Sequence, residues 1–239
     1  GLSPDASHIP FSLEDDKSHK TSFDIFDIAS RSTRHLLETY KFDGLAWSPD
    51  GRQIAYVDAP SHNASMAQLA MHIYDLRTKQ STTLLRDNHY VITSQAWSPD
   101  GHQLVYGLSQ EDGKVQILMI YDSVSKSSRR LVTSGKWATW SPNGDWIAYL
   151  AFDEKDIASV HLISPDGHKE TTLLQDTTTG VGAIISEALW SPDGAYLLYG
   201  RMHPQDPEAV RSHALALATN REEALPDEIL WAHSFAGRK

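Results

Sequence analysis

The sequence predicts an all-β protein, a five-bladed β-propeller of four-stranded antiparallel blades, and three observations carry that prediction. A tryptophan-centred turn motif recurs at intervals of about one blade. Each copy is followed by a short apolar run ending in tyrosine. A third and a fourth strand can then be traced at a nearly constant distance behind each copy.

The motif stands as Ala46-Trp47-Ser48-Pro49-Asp50-Gly51 and returns as Ala96-Trp97-Ser98-Pro99-Asp100-Gly101. Further copies are Thr139-Trp140-Ser141-Pro142-Asn143-Gly144 and Leu189-Trp190-Ser191-Pro192-Asp193-Gly194. Second strands follow at Ile54-Ala55-Tyr56, Leu104-Val105-Tyr106, Ile147-Ala148-Tyr149 and Leu198-Tyr199. The tryptophans are 50, 43 and 50 residues apart, which is the period of four short strands. Two degenerate copies extend the series. Leu2 to Phe11 reads as the turn with Leu for Trp and Ala for Gly, and Glu228-Ile229-Leu230-Trp231 reads as an inner strand without its turn.

Third strands are expected at Phe23 to Ile28, Met71 to Leu76, Ile117 to Asp122, Val160 to Ile163 and His213 to Leu217. Fourth strands centre on Leu36-Leu37, Leu84-Leu85, Leu131-Val132, Leu173-Leu174 and Ala224-Leu225. The first repeat therefore lacks an innermost strand, and the C-terminal end has one to spare. Joining them completes a fifth blade and removes two exposed sheet edges. The blades are then about 1–40 plus 228–231, 44–86, 94–133, 137–174 and 187–225, in a single domain of 239 residues. The alternative is a piece of a longer chain whose first strand lies upstream.

The motif has a mechanical reading. Proline sets φ at the first central position of a tight turn, and glycine takes the left-handed position that closes it. Trp47, Trp97, Trp140, Trp190 and Trp231 are expected to wedge between neighbouring blades, where an aromatic buries about 150 to 250 Å². The turn aspartates Asp50, Asp100 and Asp193 are structural on this reading.

Composition narrows the function. With 21 basic and 31 acidic side chains the formal charge is −10, which argues against a nucleic-acid partner and favours a cationic or polar one. There is no cysteine, so thiolate metal sites, disulfides and a cysteine nucleophile are excluded. Such a chain suits a periplasmic or extracellular location. No apolar run reaches the ~20 residues of a membrane helix.

The Trp-Ser-Pro-Asp-Gly repeats followed by Ile-Ala-Tyr resemble the WD-repeat-like blades of the TolB family of periplasmic propellers, and the resemblance covers essentially the whole chain. Related blades cap the prolyl-oligopeptidase-type peptidases. TolB itself is similar to a six-bladed propeller preceded by a separate N-terminal domain, whereas this chain has five repeats. The peptidases need an α/β-hydrolase domain, and no G-x-S-x-G elbow occurs here. The resemblance implies an exported bacterial binding protein.

A site is expected where the repeats differ. Long irregular segments fall at Asp58 to Gln68, Asp176 to Ser186 and Arg201 to Ser212, read as loops on a rigid scaffold. Counting back from each tryptophan places Asp43, Ser94, Lys136, Trp137, Glu187 and Glu228 at one channel mouth. Its carboxylates would grip a basic group, while Trp137 would serve as a stacking platform or as packing. Twelve histidines give no H-E-x-x-H, and His203, Asp206 and Glu208 share one loop that reads as solvated rather than metal-binding. No cofactor, metal or catalytic residue is expected. The leading expectation is a monomeric, non-catalytic binding or scaffold module for a protein or peptide. The alternatives are a glycan-active enzyme using channel carboxylates and a sensory domain of a larger exported protein.

Overall fold

The computed structural model describes residues 2–226, apart from 62, 88, 111, 112, 114, 156, 177–183, 185–187, 204 and 205. For 41–43, 67, 203 and 206–209 it describes the backbone alone. The chain divides into two compact units, Gly1–Arg130 and Leu131–Lys239.

The strands follow the predicted repeats. In the first unit β1 (His8–Asp15), β2 (Lys20–Asp27), β3 (Ser32–Trp47), β4 (Gln53–Ala59), β5 (Ala70–Asp75) and β6 (Gln80–Arg86) form one sheet in that order. A four-stranded sheet follows, from β7 (Val91–Trp97), β8 (Gln103–Ser109) and β9 (Gln116–Asp122) to β10 (Ser127–Val132). The second unit holds β11 (Lys136–Trp140), β12 (Ile147–Phe152), β13 (Ala158–Ile163) and β14 (Glu170–Gln175) in a third sheet. Its fourth sheet is β15 (Leu189–Trp190), β16 (Tyr196–His203), β17 (Asp206–Ala216) and β18 (Arg221–Ala224). Pairings are antiparallel throughout.

Two elements differ from the expectation. The fourth strand of the first repeat and the inner strand of the second are one strand, β3, which pairs with β2 through Thr39 and with β4 from Tyr40 onward. Ser32 to Asp43 contains no glycine or proline to interrupt the strand. The second difference is a correction. Most of the segment Arg201 to Ser212 is not a loop but the far end of the β16–β17 hairpin, with Arg201 opposite Arg211 and Met202 opposite Val210. A bulge between Met202 and His203 allows this. The predicted inner strand 228–231 lies outside the described residues.

The turn motif is a small hydrogen-bonded frame. Ser48 Oγ donates to Asp50 Oδ1 at 2.6 Å and accepts from the Gln53 amide at 2.8 Å. Gly51 closes the turn at φ 67° by donating to the Ser48 carbonyl. The same frame stands at Ser98, Ser141 and Ser191, and at Ser3 with Ala6 forced to φ 55°. Asp100 is held below the usual carboxylate range by the Ser98 hydroxyl and the His102 amide. A further copy, Ser164-Pro165-Asp166-Gly167, joins β13 to β14 and carries no tryptophan.

Tryptophans bridge sheets inside each unit. Trp97 Nε1 donates to the Ala46 carbonyl at 3.2 Å, and Trp190 Nε1 donates to the Thr139 carbonyl at 3.3 Å. In both cases the acceptor is the residue just ahead of the previous repeat's tryptophan. Trp47 Nε1 is buried with no acceptor among the described residues. The first unit packs Phe23, Ile25 and Ile54 in one cluster and Val57, Met71, Leu104 and Tyr106 in another. The second unit packs Leu150, Val160, Leu197, Tyr199 and Leu215.

Candidate functional site

Three of the inner strands, β3, β7 and β11, are interrupted by a bulge just ahead of the tryptophan, and the bulges differ. On β3 the register skips Gly44, which lies in the left-handed region at φ 61°. On β7 it skips Thr93, since Ile92 pairs with Leu108 and Ser94 with Gly107. On β11 the pairing jumps from Lys136 opposite Leu150 to Thr139 opposite Ala148. There Trp137 holds φ 57°, the conformation that Gly44 has at the matching position. A bulky side chain in that region costs roughly 1 to 3 kcal/mol, so the surroundings must hold it there.

Trp137 is half-buried, packed on the second unit's core, with Phe152 edge-on to it at 6.3 Å between centroids and 83° between planes. The Lys136 ammonium lies over both rings, 4.3 Å from the Trp137 centroid and 4.1 Å from that of Phe152. An aromatic face attracts a cation at such distances through its quadrupole. Lys136 and Trp137 are thus brought together as one cation–aromatic cluster with a third member, Phe152, that sequence reasoning missed.

Ser94 is half-buried, and its hydroxyl lies near Gly107 on β8. A Cβ at Gly107 would come within 2.3 Å of Thr93 Oγ1 and 2.8 Å of Ser94 Oγ, so only glycine fits. Thr93 Oγ1, Ser94 Oγ and Gln95 Oε1 are buried without partners among the described residues. Asp43 contributes backbone opposite Val57, and its side chain is outside the described atoms. Glu187 and Glu228 lie outside the described residues, as do the side chains of His203, Asp206 and Glu208.

A second feature escaped the sequence reading. A tyrosine within the second strand faces a histidine on the third strand in three repeats: Tyr56 with His72, Tyr149 with His161 and Tyr199 with His213. The rings stack at 5.1, 5.1 and 6.2 Å. Each histidine meets a carboxylate: Asp58 at 2.9 Å, Glu170 at 3.3 Å and Glu222 at 3.0 Å. Burial pushes the His161 pKa down against the pull of Glu170.

In the last repeat the carboxylate belongs to a larger network. Arg201 spans Asp176 and Glu222, and Asp176 also accepts the Ile184 amide at 2.8 Å. Burial drives Glu222 upward, but contacts with His213 and Arg201 outweigh it and hold the carboxyl at about 2. These groups are enclosed between strands and hold the hairpin to its neighbours. Among the described residues no three His, Cys, Asp or Glu side chains are placed to hold a metal ion, and no helix is long and apolar enough to cross a membrane.

Comparison with known proteins fits this architecture. The chain is similar in fold to TolB from Acinetobacter baumannii, with a TM-score of 0.69 at 18% identity over 95% of this chain and 53% of that one. It is similar to an oligogalacturonate lyase solved in complex with manganese, with a TM-score of 0.70 at 16% identity over 94% of this chain and 63% of that one. The β-propeller domain of the Trilobed protease from Pyrococcus furiosus, solved with an open velcro topology, matches with a TM-score of 0.65 at 15% identity, over 93% and 68%. The chain spans between half and two thirds of the first two structures. Among curated proteins no sequence matches it. The PD40 family model, described as the TolB beta propeller domain, matches residues 1–216, and the chain belongs to that family.

Proposed function

We propose that this TolB-like propeller is a non-catalytic binding or scaffold module, monomeric and exported to the periplasm or cell surface. It engages a protein or peptide through the face where the chain approaches its inner strands. The observation that carries this reading is Trp137, a large aromatic side chain held at φ 57° where the matching residue of another repeat is Gly44. The turn and the sheet ladder have no use for that choice. The predicted rim of Asp43, Glu187 and Glu228 gives the same face a preference for basic partners.

The test is a displayed peptide library selected on the parent protein and counter-selected on Trp137→Ala. The expected result is a set of basic peptides whose binding falls at least about tenfold in Trp137→Ala, as loss of an aromatic anchor does. Replacing Asp43, Glu187 and Glu228 with their amides should weaken the same peptides further. Peptides that bind Trp137→Ala equally well would place recognition elsewhere, and hydrolysis across a glycan panel would favour an enzyme.

We also infer five blades in one domain, with the ring closed by residues 228–231 beside β1. The orphaned Trp47 indole supports this closure. By the pattern of Trp97 to Ala46 and Trp190 to Thr139, its acceptor would be the residue ahead of Trp231, namely Leu230.

A further inference from the structure

We propose that the Trp137–Phe152 pair is a binding site for an alkylammonium group, that of a lysine side chain on a partner, and that Lys136 is its resident intramolecular occupant. The inference rests on the binding-face reading and names the chemistry recognised there. Two rings set edge to face, 6.3 Å apart, present one face each to a common point, and an ammonium already stands at that point within 4.3 Å of both centroids. The geometry is therefore suited to a primary ammonium on a flexible alkyl stem.

Three features set this cluster apart from incidental packing. All three side chains are half-buried, so the rings are reachable from solvent. Trp137 sits at an unpaired bulge position in the left-handed region, so its placement adds nothing to the sheet ladder. Lys136 occupies the rings through its own chain, so a competing ammonium would displace a side chain and leave the backbone in place. A chain with ten more acidic than basic side chains draws such a ligand toward it. Occupation by Lys136 would keep the rings from taking up free amines weakly and would reserve them for a cation delivered on a larger partner.

The experiment uses the whole chain, the Lys136→Ala variant, and the double variants Lys136→Ala/Phe152→Leu and Lys136→Ala/Trp137→Leu, with folding checked by far-UV circular dichroism. Nα-acetyl-lysine methylamide is titrated while the indole N–H resonance of Trp137 is followed by NMR. In Lys136→Ala a saturable shift is expected, about tenfold tighter than in the parent. It should be lost in Lys136→Ala/Phe152→Leu, which keeps Trp137 as the reporter. Should Lys136→Ala/Trp137→Leu fail to fold, the Phe152 variant alone decides the matter. An equal shift with the neutral norleucine analogue would overturn the proposal, as would no gain in affinity on removing Lys136. Peptides bound in a Trp137-dependent way, with no response to the lysine probe, would overturn this inference and leave the binding-face reading standing. A response to the probe without peptide binding would support the ammonium site and remove that reading.

Discussion

Trp137 and Trp97 belong to the same amino-acid type and stand in different surroundings. Trp97 is buried between sheets with its indole bonded to Ala46, and emptying such a site costs about 3 to 5 kcal/mol. Trp137→Ala is expected to cost clearly less, because Trp137 is less deeply buried than Trp97 and a smaller side chain sits more easily in the left-handed region. Denaturant midpoints at unchanged m-values measure the difference, and equal losses would assign Trp137 to the packing set. Ala6 makes the converse case. It adopts φ 55° where the full repeats have glycine, so Ala6→Gly should raise stability by roughly 0.5 to 1 kcal/mol. A midpoint that moves down would show that the turn tolerates alanine without strain. The tryptophans, the prolines and the turn glycines were legible in the sequence because each has one conformational job. The serine that frames each turn was not, because a serine in a turn reads only as polar, and its 2.6 Å bond to the aspartate appears once the turn closes.

At the scale of elements, Arg201 decides how the last hairpin is held. It reaches from β16 to Asp176 at the end of β14 and to Glu222 on β18. Arg201→Met would leave two enclosed carboxylates without their cation, a change that costs about 3 to 5 kcal/mol in comparable networks. Adding Asp176→Asn and Glu222→Gln should return part of the loss, and thermal unfolding of the two variants checks both statements. The same network predicts an acid limb. Glu222 titrates at about 2 in the fold against an ordinary 4.5, so the folded state binds fewer protons between those values. Its contribution is complete above about pH 5 and is lost as pH falls toward 2. His161 acts in the same direction at higher pH. Its pKa is lowered by burial, so stability falls as pH drops below the ordinary histidine value of about 6.5. A stability profile flat from pH 7 to 3 would contradict both assignments. The strands themselves were legible from apolar runs at a fixed distance behind each tryptophan. The β16–β17 hairpin was not, since Pro204 and Pro207 read as breakers and a bulge lets strand pairing continue past the first irregularity.

For the whole molecule, repeat arithmetic made the architecture readable long before any side chain could be placed, because a period of 43 to 50 residues survives substitution at most positions. The Lys136–Trp137 cluster was legible only in part. Both residues fall where the repeats differ, whereas Phe152 conforms to an ordinary apolar strand and becomes a partner only through the fold. Closure is testable on the same scale. Removing residues 227–239 is expected to leave β1 with an unpaired edge and Trp47 without an acceptor, giving aggregation or a large fall in melting temperature. A truncated protein that elutes as a monomer and melts unchanged would count against five blades. The bulges ahead of Trp47, Trp97 and Trp140 have a further consequence for how such a protein changes over generations. A residue that the ladder skips can be exchanged without shifting the register, and at Gly44 a new Cβ would meet the Gln95 side chain at 3.0 Å and carry the strain of φ 61°. Duplicated blades therefore inherit a fixed frame in which the bulge residue varies from one repeat to another. A lineage can change the residue at a bulge by a single codon and leave the rest of the blade as it was, as glycine in one repeat and tryptophan in another illustrate.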